Sequence, residues 1–158
     1  FLCTVVGFPL GNASTEAKLA ETRQALADGA GEVDMVINIG MVKSGEYDAV
    51  TEEIRLLKET VGEHILKVII ETCYLTEDEK IRMCRAVTEA GADYIKTSTG
   101  FGTAGASLAD VKLMKEYIGP NVKIKAAGGI RSREEMEAYI NAGCSRIGTS
   151  SAISMLQD

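Results

Sequence analysis

Two lysines and one aspartate interrupt segments that are otherwise apolar, and their types could support covalent chemistry at a carbonyl group. Lys96 and Lys125 lie in consecutive short apolar runs, and Asp34 lies in an earlier one. Burial disfavours the charged form of a lysine, and a second lysine nearby lowers its pKa further, so that a neutral amine can form a Schiff base. A carboxylate beside the amines can hold one of them or move a proton. From the residues alone either lysine could be the nucleophile, and a buried ion pair without catalytic function is the alternative.

Two loops near the end of the chain have the composition of anion-binding sites. Gly128 and Gly129 precede a predicted helix, and Ser150 and Ser151 precede the last short one. Glycine lets the backbone approach a ligand closely, and the N–H groups at the start of a helix favour phosphate. The two loops together therefore predict phosphate binding, whereas a Gly-Gly pair alone usually marks only a tight turn.

Alternating strands and helices must position these residues. Apolar, β-branched runs predict strands over 2–7, 33–39, 66–72, 94–97, 122–126 and 146–148. Longer amphipathic stretches predict helices over 15–28, 46–61, 76–90, 107–117 and 132–141. Three of the helix starts, at Thr76, Ser107 and Ser132, are expected to form capping boxes with the acidic residue three positions later. Strands that alternate with helices in this way predict βαβ units and a parallel sheet.

The charged residues inside the strands favour a barrel over a doubly wound sheet. Strands covered on both faces should be almost entirely apolar. Here ionisable side chains recur in several strands, at Asp34, Lys67, Glu71, Lys96, Lys123 and Lys125. In a barrel such groups converge on the interior and on its C-terminal mouth. The loop over residues 7–11 also lacks the G-x-G-x-x-G pattern of a nucleotide-binding sheet. Lys123 either faces the same way as Lys125 or lies on the surface at the start of its strand.

Length and composition exclude several classes of protein. The 158 residues suit one domain, 1–158, but are too few for a complete (β/α)8 barrel, which needs at least about 200. The net charge of −6 argues against a nucleic-acid partner, and no apolar run is long enough to span a membrane. The single histidine, His64, is expected on a surface loop. Scattered cysteines and the lack of a visible secretory signal predict a reduced, cytoplasmic protein.

Four segments together resemble the deoxyribose-phosphate aldolase family. They are residues 30–36 (Ala-Gly-Glu-Val-Asp-Met-Val), 67–72 (Lys-Val-Ile-Ile-Glu-Thr), 94–101 (Tyr-Ile-Lys-Thr-Ser-Thr-Gly-Phe) and 125–131 (Lys-Ala-Ala-Gly-Gly-Ile-Arg). The resemblance runs over nearly the whole chain. The Lys-Thr-Ser-Thr-Gly motif combined with a second lysine before Ala-Ala-Gly-Gly is highly specific.

The resemblance implies a class I aldolase, a lyase on a TIM-barrel fold that needs neither a metal nor another cofactor. Such an enzyme reversibly cleaves 2-deoxy-D-ribose 5-phosphate into glyceraldehyde 3-phosphate and acetaldehyde. On the family's pattern Lys96 corresponds to the Schiff-base nucleophile and Lys125 to the lysine that lowers its pKa. Asp34 corresponds to the aspartate that, with Lys125, relays protons through water. The residues that correspond to the substrate-binding and phosphate-binding loops are Thr97, Thr99, Gly100, Gly128, Gly129, Ser150 and Ser151.

The resemblance also implies a truncated barrel of about six parallel βα units. The opening segment, residues 2–9, corresponds to the family's third strand, so the first two units are expected to be missing. Six strands leave two exposed edges. We therefore expect an open or rearranged barrel, closure by another copy of the chain, or a marginally stable protein, with association into a homo-oligomer. Because part of the pocket wall would be absent, the alternative function is a weakly active or inactive remnant that binds sugar phosphate or only self-assembles.

Overall fold

A computed structural model describes residues 2–157 and contains six strands, each followed by at least one helix. The strands are β1 (Cys3–Val6), β2 (Glu32–Val36), β3 (Ile65–Ile69), β4 (Tyr94–Lys96), β5 (Lys123–Ala127) and β6 (Arg146–Gly148). The helices are α1 (Thr15–Ala27), α2 (Ile39–Lys43), α3 (Tyr47–Val61), α4 (Glu77–Glu89), α5 (Leu108–Tyr117), α6 (Arg133–Asn141) and α7 (Ala152–Leu156), with a short 3-10 helix over Thr72–Tyr74.

All six strands are parallel and lie in the sheet in chain order, β1 to β6. One face of the sheet is apolar and packs under the helices, with Val33, Val68 and Ile95 fully buried in the core. Residues of the opposite parity on the same strands, such as Asp34, Lys67 and Lys96, lie on the other face, because successive side chains of a strand alternate. The sheet therefore separates a hydrophobic layer from a charged inner surface.

The sheet is curled rather than flat. Strands β2 and β6 are four strand spacings apart, which is about 19 Å in a flat sheet, yet Arg146 of β6 lies 2.5 Å from Glu32 of β2. Lys125 of β5 likewise reaches Asp34 of β2. The inner surface is thus the concave side of an open, TIM-barrel-derived α/β half-barrel, in agreement with the predicted fold class. Within residues 2–157, β1 and β6 each pair on one side only.

The helices begin at the predicted capping residues, with one difference. Thr76 and Ser132 form the expected capping boxes with Glu79 and Glu135. Ser107 accepts a hydrogen bond from the Asp110 N–H but is not part of a capping box. The Asp110 carboxylate instead accepts a hydrogen bond at 2.6 Å from Lys80 of α4. That capping-box prediction was wrong because the shorter aspartate forms an ion pair with the neighbouring helix.

Two predicted strands end earlier than expected, and in each case a polar residue shortly after the strand starts a helical turn. The stretch 33–39 ends as a strand at Val36, because the Asn38 side chain accepts a hydrogen bond from the Met41 N–H and caps α2. The stretch 66–72 ends as a strand at Ile69. Glu71 adopts a left-handed backbone with φ of 51°, and a 3-10 turn follows. Both departures place a helical turn at the C-terminal end of the barrel.

The structure also describes the remaining residues that the sequence singles out. His64 is exposed in a loop. Lys123 is exposed at the start of β5, where its ammonium group lies 5.9 Å from the centre of the Tyr94 ring. The cysteines, all four of which lie in the described part of the chain, form no disulfide. From Leu2 to Gln157, none of the helices combines the length and hydropathy that a membrane crossing requires.

Candidate active site

Asp34 is the centre of the charged inner surface. Its Oδ2 atom accepts hydrogen bonds from the ammonium groups of Lys96, at 2.8 Å, and of Lys125, at 2.9 Å. The register of the sheet explains the meeting, because Lys96 and Lys125 are paired neighbours on β4 and β5. The three residues singled out for chemistry in the sequence therefore converge on one carboxylate oxygen.

A second row of charges continues from the other oxygen of Asp34. Lys67 donates to Asp34 Oδ1 at 2.8 Å and lies 2.6 Å from Glu32 Oε2. Glu32 in turn accepts a hydrogen bond from Arg146. From the sequence, Lys67 is one of the charged strand residues, but neither it nor Glu32 or Arg146 is predicted to belong to the site. The signal was available for Lys67, since it interrupts an apolar strand in the same way as Lys96.

Burial and charge separate the two candidate nucleophiles. Lys96 is 7% exposed, and burial together with the positive charge of Lys125 lowers its pKa although Asp34 opposes the shift. Burial alone would raise the pKa of Asp34, but Lys96 and Lys67 outweigh it and hold this pKa well below the usual range. Lys96 thus has a lowered pKa, and Asp34 stays ionised beside it.

A cavity of about 500 Å³ opens beside Lys96 at the C-terminal ends of the strands. It is lined by residues of three loops together with the ends of β4, β5 and β6, namely Lys96, Thr99, Gly100, Phe101, Ala127, Gly128, Gly129, Ile130, Arg131, Gly148, Thr149 and Ser150. Five of the predicted binding residues therefore share one cavity with the lysine: Thr99, Gly100, Gly128, Gly129 and Ser150. Arg131 adds an exposed guanidinium group at the rim, a group that the sequence motif contained but that we had not assigned.

Two predicted binding residues lie outside the lining of this cavity. Thr97 is fully buried, and its hydroxyl group both donates to the Ala127 carbonyl and accepts from the Ala127 N–H, each at 3.1 Å. Ser151 lies at the start of α7, where its N–H donates to the Thr149 hydroxyl. In this structure Thr97 fastens the end of β4 to β5, which holds the two lysines in register.

Close packing between glycines holds the loop before α5 against the loop after β5. A Cβ atom added to Gly105 would lie 2.2 Å from the Gly128 carbonyl oxygen, so only glycine allows this approach. The Ala106 N–H donates to the carbonyl groups of Ala127 and Gly128. At the start of α6, Glu135 already accepts hydrogen bonds from the N–H groups of Arg131 and Ser132. The potential donors that remain beside the cavity include the N–H groups of Gly128 and Gly129, Ser150 and the Arg131 side chain.

Glu71 fixes the opposite wall of the mouth. Its buried carboxylate accepts hydrogen bonds from both the N–H and the hydroxyl group of Thr99. The Thr99 hydroxyl in turn accepts from the Phe101 N–H at 3.0 Å. The left-handed backbone at Glu71 is unusual for a residue other than glycine, and here it directs the carboxylate into the loop that lines the cavity. The sequence contained no signal for this conformation.

The chain is similar to known aldolases over nearly its whole length. The family model described as DeoC/LacD family aldolase matches residues 2–155. A deoxyribose-phosphate aldolase of Clostridium botulinum is 71% identical over 156 residues, which cover 99% of this chain and 71% of that protein. One of Clostridioides difficile is 55% identical over 157 residues, with 99% of this chain and 72% of that protein covered.

Solved structures have the same fold. One described as QR15, an aldolase, matches with a TM-score of 0.93 and 46% identity over 97% of this chain and 69% of that chain. The deoxyribose phosphate aldolase of Aeropyrum pernix, described as a unique tetrameric structure, matches with a TM-score of 0.87 and 35% identity. The match covers 99% of this chain and 66% of the A. pernix chain. On the family match over residues 2–155 and the 71% identity to a relative, the chain belongs to the DeoC/LacD family of aldolases.

Proposed function

We propose that this protein is a class I deoxyribose-phosphate aldolase, which reversibly cleaves 2-deoxy-D-ribose 5-phosphate to glyceraldehyde 3-phosphate and acetaldehyde. The observation that carries the proposal is the pair of lysines, Lys96 and Lys125, that share one oxygen of Asp34, with Lys96 lining a cavity bordered by glycine loops. The relatives named deoxyribose-phosphate aldolase support the same reaction. Its substrates are small sugar phosphates and aldehydes.

Lys96 is the proposed nucleophile. Its neutral amine adds to the aldehyde carbon of the open-chain sugar and, with one proton taken from Lys125 and loss of water, forms a protonated Schiff base. When the 3-hydroxyl group gives its proton through water to the relay of Lys125 and Asp34, the bond between the second and third carbons breaks. The electron pair moves toward the nitrogen, and glyceraldehyde 3-phosphate leaves. The remaining enamine takes up a proton at carbon, and water then releases acetaldehyde and restores the amine.

Lys125 and Asp34 are proposed to act together in the proton transfers. An ionised Asp34 holds the ammonium group of Lys125 beside Lys96. The positive charge of Lys125 favours the neutral form of Lys96, and its protons are placed close to the reacting carbon and nitrogen. The glycine loops with Gly128, Gly129 and Ser150 are proposed to bind the phosphate group, with backbone N–H groups as the donors.

Trapping with acetaldehyde and borohydride tests the assignment. The Schiff base forms on one amine, and hydride addition to its carbon leaves one ethyl group on that nitrogen. We expect intact-mass analysis and peptide mapping to find the ethyl group on Lys96 and retro-aldol turnover of the sugar phosphate. Lys96→Ala should lose both, whereas Lys123→Ala, which removes an exposed lysine from the same sheet, should keep both. Equal labelling of Lys96→Ala would overturn the assignment. A thermal shift with sugar phosphate but no turnover would favour the binding-only alternative.

We also infer that the chain associates with further copies of itself. The edge strand β1 is unpaired on its outer side in the described part of the chain, and Leu2 before it is 63% exposed. An unpaired strand edge with apolar neighbours is a template for pairing with another chain. The tetramer described for the A. pernix relative belongs to that protein, and the support for association here is the open edge.

A further inference from the structure

Lys67 is buried beneath the reacting lysines and is not among the residues that line the cavity. Its side chain is fully buried, and its ammonium group bridges Asp34 Oδ1, at 2.8 Å, and Glu32 Oε2, at 2.6 Å. Lys96 and Lys125 bind the other oxygen of the same aspartate, Oδ2. Lys67 therefore shares the charge of Asp34 with the nucleophile while staying out of reach of a substrate in the cavity.

We propose that Lys67 is a positioning residue whose charge limits how strongly Asp34 stabilises the protonated form of Lys96. An ionised carboxylate raises the pKa of a neighbouring lysine, and a Schiff-base nucleophile must be neutral to react. A cation on the far oxygen of the carboxylate weakens that effect without occupying the reacting side. The proposal deepens the proposed function, on which it rests, by naming the group that regulates its nucleophile.

Charges alternate in sign along a row that leads from the nucleophile to the outer strand. From Lys96 the row passes through Asp34, Lys67 and Glu32 to Arg146 of β6, whose side chain is 36% exposed. Arg146 and Lys67 hold the pKa of Glu32 at about 2, so Glu32 is ionised at neutral pH. Removing a cation from this row should raise the pKa of Lys96, and removing the distal anion should lower it.

Titratable groups from four strands face Asp34, the central carboxylate of this row. Asp34 is faced by Lys67 of β3, Lys96 of β4 and Lys125 of β5, and by the Cys3 thiol of β1, which lies 3.3 Å from Oδ1. Burial and the negative charge of Asp34 raise the pKa of this thiol, so it stays neutral at physiological pH. The charge of the row is therefore set by the lysines, the two carboxylates and Arg146.

The experiment measures the protonation of Lys96 without relying on aldolase activity. The protein is acetylated with a trace of acetic anhydride across a pH series, and peptide mapping gives the pH midpoint of acetylation at Lys96. We expect Lys67→Met to raise this midpoint by about one pH unit. Arg146→Met should raise it by less, and Glu32→Gln should lower it. Borohydride trapping with acetaldehyde, on unacetylated protein of the same variants, should show the same order of pH midpoints.

The opposite signs distinguish this role from a structural one. If Lys67 only supported the fold, its loss would reduce the extent of labelling while the midpoint stayed unchanged, and that result would overturn the proposal. Should Lys67→Met fail to fold, two other variants still test the row. Arg146→Met changes a partly exposed side chain, and Glu32→Gln is nearly isosteric. If the acetylation midpoints of Arg146→Met and Glu32→Gln are equal or shift in the same direction, the proposal is wrong. Absence of trapping in the unaltered protein would count against the proposed function alone, because acetylation reports on Lys96 independently.

Discussion

At the scale of single residues, we expect the Arg131 side chain to contribute more to phosphate binding than the backbone N–H groups at the start of α6. The N–H groups of Arg131 and Ser132 are already bound by Glu135, so the start of α6 has few donors to offer an anion. The Arg131 side chain is exposed at the rim of the cavity. A guanidinium group recognises phosphate through charge-assisted hydrogen bonds, so this side chain is well placed to distinguish phosphorylated sugars.

We predict that Arg131→Gln raises the KM for 2-deoxy-D-ribose 5-phosphate about tenfold, because the phosphate group loses about one charge-assisted hydrogen bond. Cleavage of unphosphorylated 2-deoxy-D-ribose should hardly change. Steady-state kinetics with both sugars checks this result. Arg133→Gln is the matched control, since Arg133 lies two residues later on α6 and pairs with Glu137 at the surface. Equal effects on the two sugars would contradict a role for Arg131 in phosphate binding.

At the scale of elements, a buried ion pair joins two helices to the strand that bears Asp34. Lys18 of α1 is fully buried and donates to Glu53 of α3 at 2.6 Å and to the Val36 carbonyl at the end of β2 at 2.8 Å. Burial lowers the pKa of Lys18 despite the nearby carboxylate. Thr15 donates a further hydrogen bond to Glu53. Either charge would be strongly unfavourable in this place without the other.

We predict that Lys18→Met lowers the free energy of unfolding by about 3–5 kcal/mol, because it leaves the Glu53 carboxylate buried without its cation. Urea unfolding measures the change. Lys18→Met combined with Glu53→Leu should recover most of the loss. Lys43→Met removes the partner of Glu79 from a surface pair in which Lys43 is 43% exposed, and it should change the stability by less than about 1 kcal/mol. A double variant as unstable as the single one would show that an unpaired charge is not the cause.

At the scale of the whole molecule, ion pairs span the concave side of the open half-barrel. The contact between Glu32 and Arg146 connects β2 to β6, and the contact between Asp34 and Lys125 connects β2 to β5. The chain spans 71% of the length of its C. botulinum relative and holds all three proposed catalytic residues. Within residues 2–157, β1 pairs on one side only.

We predict that the chain is larger than a monomer at micromolar concentration, because pairing at the edge strand buries N–H and carbonyl groups together with apolar surface. Light scattering measures the molar mass. Leu2→Lys places a charge beside the β1 edge and should shift the mass toward the monomer. Ile140→Lys alters another exposed apolar side chain, on α6, and should leave the mass unchanged. A stable monomer of the unaltered chain would refute the association.

The sequence alone was sufficient for the order and type of the main elements and for naming Lys96, Lys125 and Asp34 as residues that could do chemistry. Period-two alternation places Asp34, Lys96 and Lys125 on the face away from the core, and a buried ionisable group inside an apolar strand is a local signal. It also indicated the glycine loops, since the glycines lie between a strand and the start of a helix. These features depend on neighbours along the chain, which a sequence records directly.

Only the tertiary structure decided which charges meet. Lys67 and Lys96 carry the same sequence signal, but the register of the sheet pairs Lys67 with Asp34 and places Lys96 beside the cavity. Glu32 and Arg146 are 114 residues apart, and no local pattern indicates that the concave surface brings them to 2.5 Å. Thr97 turned out to bind the backbone of β5, and Glu71 to clamp the Thr99 loop. Such contacts depend on the curvature and register of the whole sheet, which result from the packing of all the elements together.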